Sequence, residues 1–181
     1  DIDAAAGIAD SKLAQITTAS KVSGAAVTAA SATAQGAAEL ATIAETSAGS
    51  DEARVVTPDG LSGSIFGKKT VVLKVIEDDD TLSTGDGQMY FTCPPELNGM
   101  NLVDIDAHVY TASSSGTPTV QLYNLTDTTD ILSTRITIDA NETDSSTAAA
   151  AAVIDTSHDD TATADVLRVD VDVAGTGTKG L

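Results

Sequence analysis

Residues 36–66 read GAAELATIAETSAGSDEARVVTPDGLSGSIF, and this stretch decides what kind of molecule the chain makes. Thr42 and Glu45 form a T-x-x-E pattern, in which hydroxyl and carboxylate each satisfy a first-turn amide of a helix. That predicts a short helix closing near Gly49, a residue that tolerates the left-handed conformation ending many helices. Thr57-Pro58-Asp59 is a second start signal: Thr caps, Pro fits the first helical position, and Asp complements the positive helix end. Leu61 and Ile65 then fall four apart on one face. Both helices are far shorter than the ~12–15 residues an isolated helix needs in water. Leu40, Ile43, Val55, Val56, Leu61 and Ile65 are the main apolar side chains of the stretch, and one copy of so small a set cannot close a core. Several copies can.

Upstream, residues 1–35 scatter Ile2, Ile8, Leu13, Ile16, Val22 and Val27 among small residues, with neither a 3.6 period nor strict alternation. They read as an extended low-complexity spacer or anchor, or as a strand-like segment ordered only against copies of itself. Downstream, residues 70–181 change to strands. TVVLKVI (70–76) is β-rich, and QMYFTC (88–93) turns Met89, Phe91 and Cys93 to one side. NLVDIDAHVYT (101–111) alternates Val103, Ile105, Ala107 and Val109 against Asp104, Asp106, His108 and Tyr110, the period of a half-buried strand. TVQLYN (119–124) turns Val120 and Leu122 inward, ILSTRITID (131–139) Ile136 and Ile138, and DVLRVDVDV (165–173) Leu167, Val169, Val171 and Val173. Short strands separated by turn residues, without intervening helices, predict a mainly β chain ending in a jelly-roll-like β-sandwich. After Val173 the chain runs AGTGTKGL, a turn and a single Leu181. A final strand is expected to start there, completed by further chain or by a neighbouring segment.

Composition narrows the function. The formal net charge is −18, which repels nucleic acid and anionic membranes, and no run of ~18 apolar residues offers a membrane span. The one cysteine, Cys93, excludes an intrachain disulfide and reads as a small buried hydrophobe. His108 and His158 have no cysteine or second histidine at ligand spacing and are expected as solvent-facing polar residues. The acidic clusters at 77–80, Asp159-Asp160 and Asp170/Asp172 are candidate Ca²⁺ contacts, but no D-x-[DN]-x-[DN]-G loop accompanies them, so no cofactor is expected. No carboxylate pair or nucleophile–base set stands out, and the chain is expected not to be an enzyme. If strands 101–111 and 119–124 form a hairpin, the outward row Asp106, His108 and Tyr110 lies beside Gln121 and Tyr123. Such a set of aromatics, amides and carboxylates suits a sugar or a partner subunit.

GAAELATIAETSAGSDEARVVTPDGL resembles the short repeat of bacteriophage and prophage tail fibre proteins. There a G-x-x-x-L-A-T-x-x-E run leads through G-x-D-x-x-R to V-T-P-x-x-L. Gly36, Leu40, Ala41, Thr42, Glu45, Gly49, Asp51, Arg54, Val56, Thr57, Pro58 and Leu61 carry the likeness. Residues 70–181 are more loosely similar to β-sandwich modules of phage structural proteins. The resemblance implies a homotrimer in which three copies of a 36–69 trimerisation unit interlock, with Leu40, Ile43, Val56, Leu61 and Ile65 at the interface. It implies a virion location on tail or capsid exterior, contact with other virion proteins through the N-terminal region, and attachment to a host surface glycan. Two alternatives stand beside the tail fibre: a head fibre or capsid decoration protein anchored by its N-terminus, and a glycan depolymerase. Nucleic acid and membrane are not expected partners.

Overall fold

The computed structural model describes residues 28–33 and 35–181, so the expected spacer over 1–35 lies mostly outside the described residues. The chain forms two compact units, one running to Thr70 and the other from Val71 to Leu181. Among the described residues the fold is mostly β with few helices.

The N-terminal unit holds two helices, α1 (Ile43–Ala48) and α2 (Pro58–Gly63). Both caps follow from local hydrogen bonding. The Thr42 hydroxyl accepts from Glu45 N at 3.3 Å, and Glu45 Oε2 accepts from Thr42 N at 3.0 Å. Gly49 closes α1 in the left-handed region at φ 63°, where a side chain is strained. Thr57 Oγ1 accepts from Gly60 N at 3.0 Å, with Pro58 opening α2. Ile65 continues into a single 3₁₀ turn, Ile65–Gly67. Two parallel bridges, Ala29 with Ala37 and Leu40 with Val55, stitch the extended chain around the helices.

The C-terminal unit is organised around one sheet of β1 (Gly85–Thr92), β3 (Thr119–Asn124), β4 (Thr129–Asp130), β6 (Ile136–Thr137) and β9 (Val166–Val173). Strand order is β1-β9-β3-β4, with β6 also on β3, and every pairing is antiparallel. Two small ladders accompany it. One joins β2 (Met100–Asn101) to β8 (Asp160–Thr161), the other β5 (Leu132–Thr134) to β7 (Val153–Ile154). The alternation of β9 places Leu167, Val169 and Val171 in the core with Val120, Leu122, Ile131, Leu132, Ile136, Leu82 and Cys93. Each such aliphatic side chain contributes about 1.5–3 kcal/mol on burial. Ile138 and Val109 are fully buried as well.

Three register irregularities shape the sheet, one of them where Thr119↔Val173 gives way to Val120↔Val171. Between Gly85↔Val171 and Met89↔Val169, β1 carries extra residues. Gly87 adopts φ 72° there, and its N–H donates to Asp170 Oδ1 at 2.7 Å. Asp170 is therefore buried at 4% exposure, although period 2 places it outward; it accepts the bulge amide and also pairs with Arg168 at 2.7 Å. On β3, pairing passes from Tyr123↔Asp130 to Val120↔Ile136, so three steps on β3 match six on its partner. The excess is extruded around β5.

Three sequence expectations are corrected. Residues 70–76 form no strand: Val75 N and Ile76 N donate to Leu181 O at 2.7 and 3.0 Å, and no other strand lies alongside. Val72 is exposed. Residues 101–111 form no continuous strand beyond Asn101. Leu102 N donates to Asp159 O, Val109 N to Thr143 O and Thr111 N to Lys179 O, so three separate stretches share this segment. Its alternation holds for half-buried Ile105 and Ala107 and buried Val109 but fails at exposed Val103. Val173, at the far end of β9, is also exposed rather than inward. Leu181 itself is half-buried and packs against the core.

Replacing Asp170 by Ala removes a charge-assisted hydrogen bond to the bulge amide, and the expected loss is about 2 kcal/mol of stability. Denaturant unfolding followed by far-UV circular dichroism checks it; an unchanged midpoint contradicts this account of the bulge.

Candidate functional site

The described part of the N-terminal unit caps its own helices yet leaves its large apolar side chains outside. Leu40 is 61% exposed and Ile65 59%, and Ile43, Val55, Val56, Leu61 and Phe66 are exposed as well. The buried positions of α1 and α2 are Thr46 and Gly60, which bring almost no hydrocarbon. An ordinary globular unit inverts this pattern.

Backbone bridges and caps join its segments, and Arg54 gathers the nearby carboxylates. Arg54 reaches Glu39 at 3.4 Å and Glu45 at 3.2 Å and also pairs with Asp51. Asp51 additionally accepts from Ala53 N at 2.8 Å and Arg54 N at 3.2 Å, which folds the 51–54 turn. The Thr42 amide and hydroxyl hold Glu45 below its ordinary 4.5, with Arg54 adding to the effect. The Ala53 amide, then Arg54, holds Asp51 below its ordinary 3.8. Asp51 above all keeps the Arg54 guanidinium firmly protonated. Glu45, Asp51 and Arg54 thus form one cluster, which the spacing alone did not reveal.

In the C-terminal unit the structure does not assemble the row expected around residues 101–124. The hairpin behind it is absent: β3 pairs with β9, β4 and β6. Gln121 is corrected from outward to buried, at 3% exposure. Its Nε2 donates to Leu132 O at 3.0 Å and its Oε1 accepts from Leu122 N at 3.0 Å. The amide thereby links β3 to the first residue of β5. His108 is exposed near Asp144, with Nδ1 3.9 Å from Oδ2. Asp106 accepts from Ser145 Oγ at 3.4 Å, and Tyr110 is exposed on the stretch whose Thr111 bridges Lys179.

Tyr123 instead belongs to a row that sequence reading missed. Register places Tyr90, Arg168 and Tyr123 side by side across β1, β9 and β3. The Arg168 guanidinium carbon sits 4.5 Å from the Tyr123 ring centroid, within cation–π range. Its Nη2 donates to Asp170 at 2.7 Å and Asp86 at 3.3 Å. Cross-strand pairing of remote segments was the missing signal.

Cys93 is buried, and burial pushes its thiol upward, with Asp165 adding to the shift. Asn124, first residue of an N-x-T sequon, is likewise buried, donating to Asp127 at 2.8 Å and accepting from Thr126 N at 3.0 Å. Among the described residues, no group of three or more His, Cys, Asp or Glu side chains is placed to hold a metal ion, and no helix is long and apolar enough to cross a membrane. Comparison with protein-family models, curated proteins and solved structures finds no match.

Two outcomes are expected. Glu45 and Asp51 have depressed native pKa values, so their stabilisation is present above the ordinary 4.5 and 3.8 and is lost as pH falls through the lower native values. Chemical shifts of the 39–54 amides should therefore report loosening below about pH 4, with Glu45→Gln blunting the change. Cys93 should resist alkylation in the native protein and react on unfolding, as timed mass spectrometry would show; rapid native labelling contradicts its burial.

Proposed function

We propose that the chain is a structural protein of a bacteriophage particle, a tail fibre segment or receptor-binding module that works as a homotrimer. The observation that carries this reading is the inverted N-terminal unit. Its caps, bridges and Arg54 ion pairs form within one chain, while Leu40, Ile43, Val56, Leu61 and Ile65 face outward. Such a set marks an association surface. The fibre-like motif over 36–61 supplies the number three and the particle.

In this reading three copies of the 36–69 unit cover one another's aliphatic side chains. The C-terminal unit is a jelly-roll-type sandwich, in which the β2–β8 and β5–β7 ladders contribute to the layer facing the main sheet. The N-terminal region meets other virion proteins, and the β unit meets the host. Tyr110 and Tyr123, on separate elements, are the aromatic side chains it would turn toward a surface glycan. Three copies held together raise weak single-site binding through effective concentration.

Native mass spectrometry of the full chain is the test, with an expected mass of three chains or a multiple of three. The double substitution Leu61→Asp, Ile65→Asp should abolish that multiple by facing six carboxylates across the trimer, while the β unit keeps its thermal transition. A wild-type chain that stays monomeric at high micromolar concentration overturns the reading.

A further inference from the structure

The row of Tyr90, Arg168 and Tyr123 brings together groups of complementary chemistry. Gly87 lies within the irregular part of β1, and the phenol end of Tyr90 occupies the space that a Cβ on Gly87 would take. The ring therefore leans back along its own strand over bare backbone. Tyr90 is still 56% exposed, so this side chain offers apolar surface to solvent beside polar neighbours. On β9, Arg168 lies against the Tyr123 ring and bonds Asp170 and Asp86, both through Nη2. Asp170 is buried, whereas the Asp86 side chain is 72% exposed. Asp86 Oδ2 takes the Arg168 bond, and Oδ1 makes no bond among the described residues. An aromatic ring, a guanidinium held in place and an open carboxylate thus adjoin one another.

We propose that this row is a shallow subsite for a neutral sugar ring, with Tyr90 as the stacking residue and Asp86 and Arg168 as the polar contacts. The chemistry selects the class. The C–H-rich face of a sugar packs on an aromatic ring, while its adjacent hydroxyls both donate and accept, which suits a carboxylate beside a guanidinium. An anionic sugar is disfavoured, because Arg168 is already matched by two carboxylates and the chain as a whole carries −18, a field that repels anions. A cationic ligand is disfavoured by the guanidinium that register sets beside Tyr90. Tyr123, half-buried, carries Arg168 on its ring and so positions the guanidinium. The subsite rests on the attachment reading and gives it a location. A flat site of this kind binds weakly alone, and several copies held together offset that weakness.

The test titrates the isotopically labelled full-length chain with the methyl glycosides of glucose, galactose and N-acetylglucosamine, and with sialyllactose as the anionic comparison. At least one neutral glycoside should move the amide signals of Asp86, Tyr90 and Arg168 at millimolar concentration, and sialyllactose should bind more weakly. Tyr90→Ala should weaken the neutral sugar about tenfold, the scale of one lost stacking contact. Tyr90→Phe keeps the ring and should keep most of the affinity, and Asp86→Asn should show a smaller loss. Circular dichroism checks that each variant retains its sheet. No shift with any neutral glycoside, undiminished binding by Tyr90→Ala, or tighter binding of sialyllactose overturns the proposal. Shifts centred on Tyr110 also overturn this subsite but leave the attachment reading standing. A chain that proves monomeric defeats the trimer without touching the titration.

Discussion

Strand β9 is bonded along both edges, and that one constraint organises the C-terminal unit. Hemmed in by β1 and β3, the strand buries most of its middle, from Leu167 to Val171, while Asp172 and Val173 at its end stay exposed. Leu167, Val169 and Val171 suit this burial on one face. On the other face Arg168 and Asp170 need partners close at hand. Asp170 finds them in Arg168 and in the Gly87 amide, and Arg168 finds them in Asp170, Asp86 and the Tyr123 ring. The β1 bulge is thus a consequence of seating a carboxylate at a position with no access to water.

The same logic explains Gln121. Its register partner on β9 is Asp170, so the two polar side chains sit together under the bulges on either side. Gln121 links β3 to the first residue of β5, donating to one backbone carbonyl and accepting from one amide. An apolar residue there would leave the Leu132 carbonyl without its donor, which is costly in the interior. Polar residues in this sheet repair the irregularities that let a short, mostly small-residue chain close a core.

Legibility followed the range of the forces. The caps at Thr42, Gly49 and Thr57 were readable because each is a hydrogen bond within three or four residues. The inward sets of 119–124 and 88–93, and of β9 up to Val171, were readable because a buried face leaves a period-2 trace. Residues 101–111 left that trace too, but alternation reports which way side chains point and says nothing of the backbone partner. The real partners lie at 143, 159 and 179, each holding one part of the segment. Tyr90, Arg168 and Tyr123 escaped for a related reason, since they adjoin only after three distant strands have been ordered. Gln121 escaped because extrusion of a neighbouring segment is invisible from its own strand.

The Arg54 cluster draws every one of its members from residues 39–54. Structure closed by such near neighbours has low contact order and forms quickly, well ahead of β-sheets assembled from remote strands. Each newly made copy can therefore set these caps and ion pairs early, while its aliphatic side chains still stand uncovered. Any union of copies through them then begins from locally ordered turns, and its rate depends on concentration.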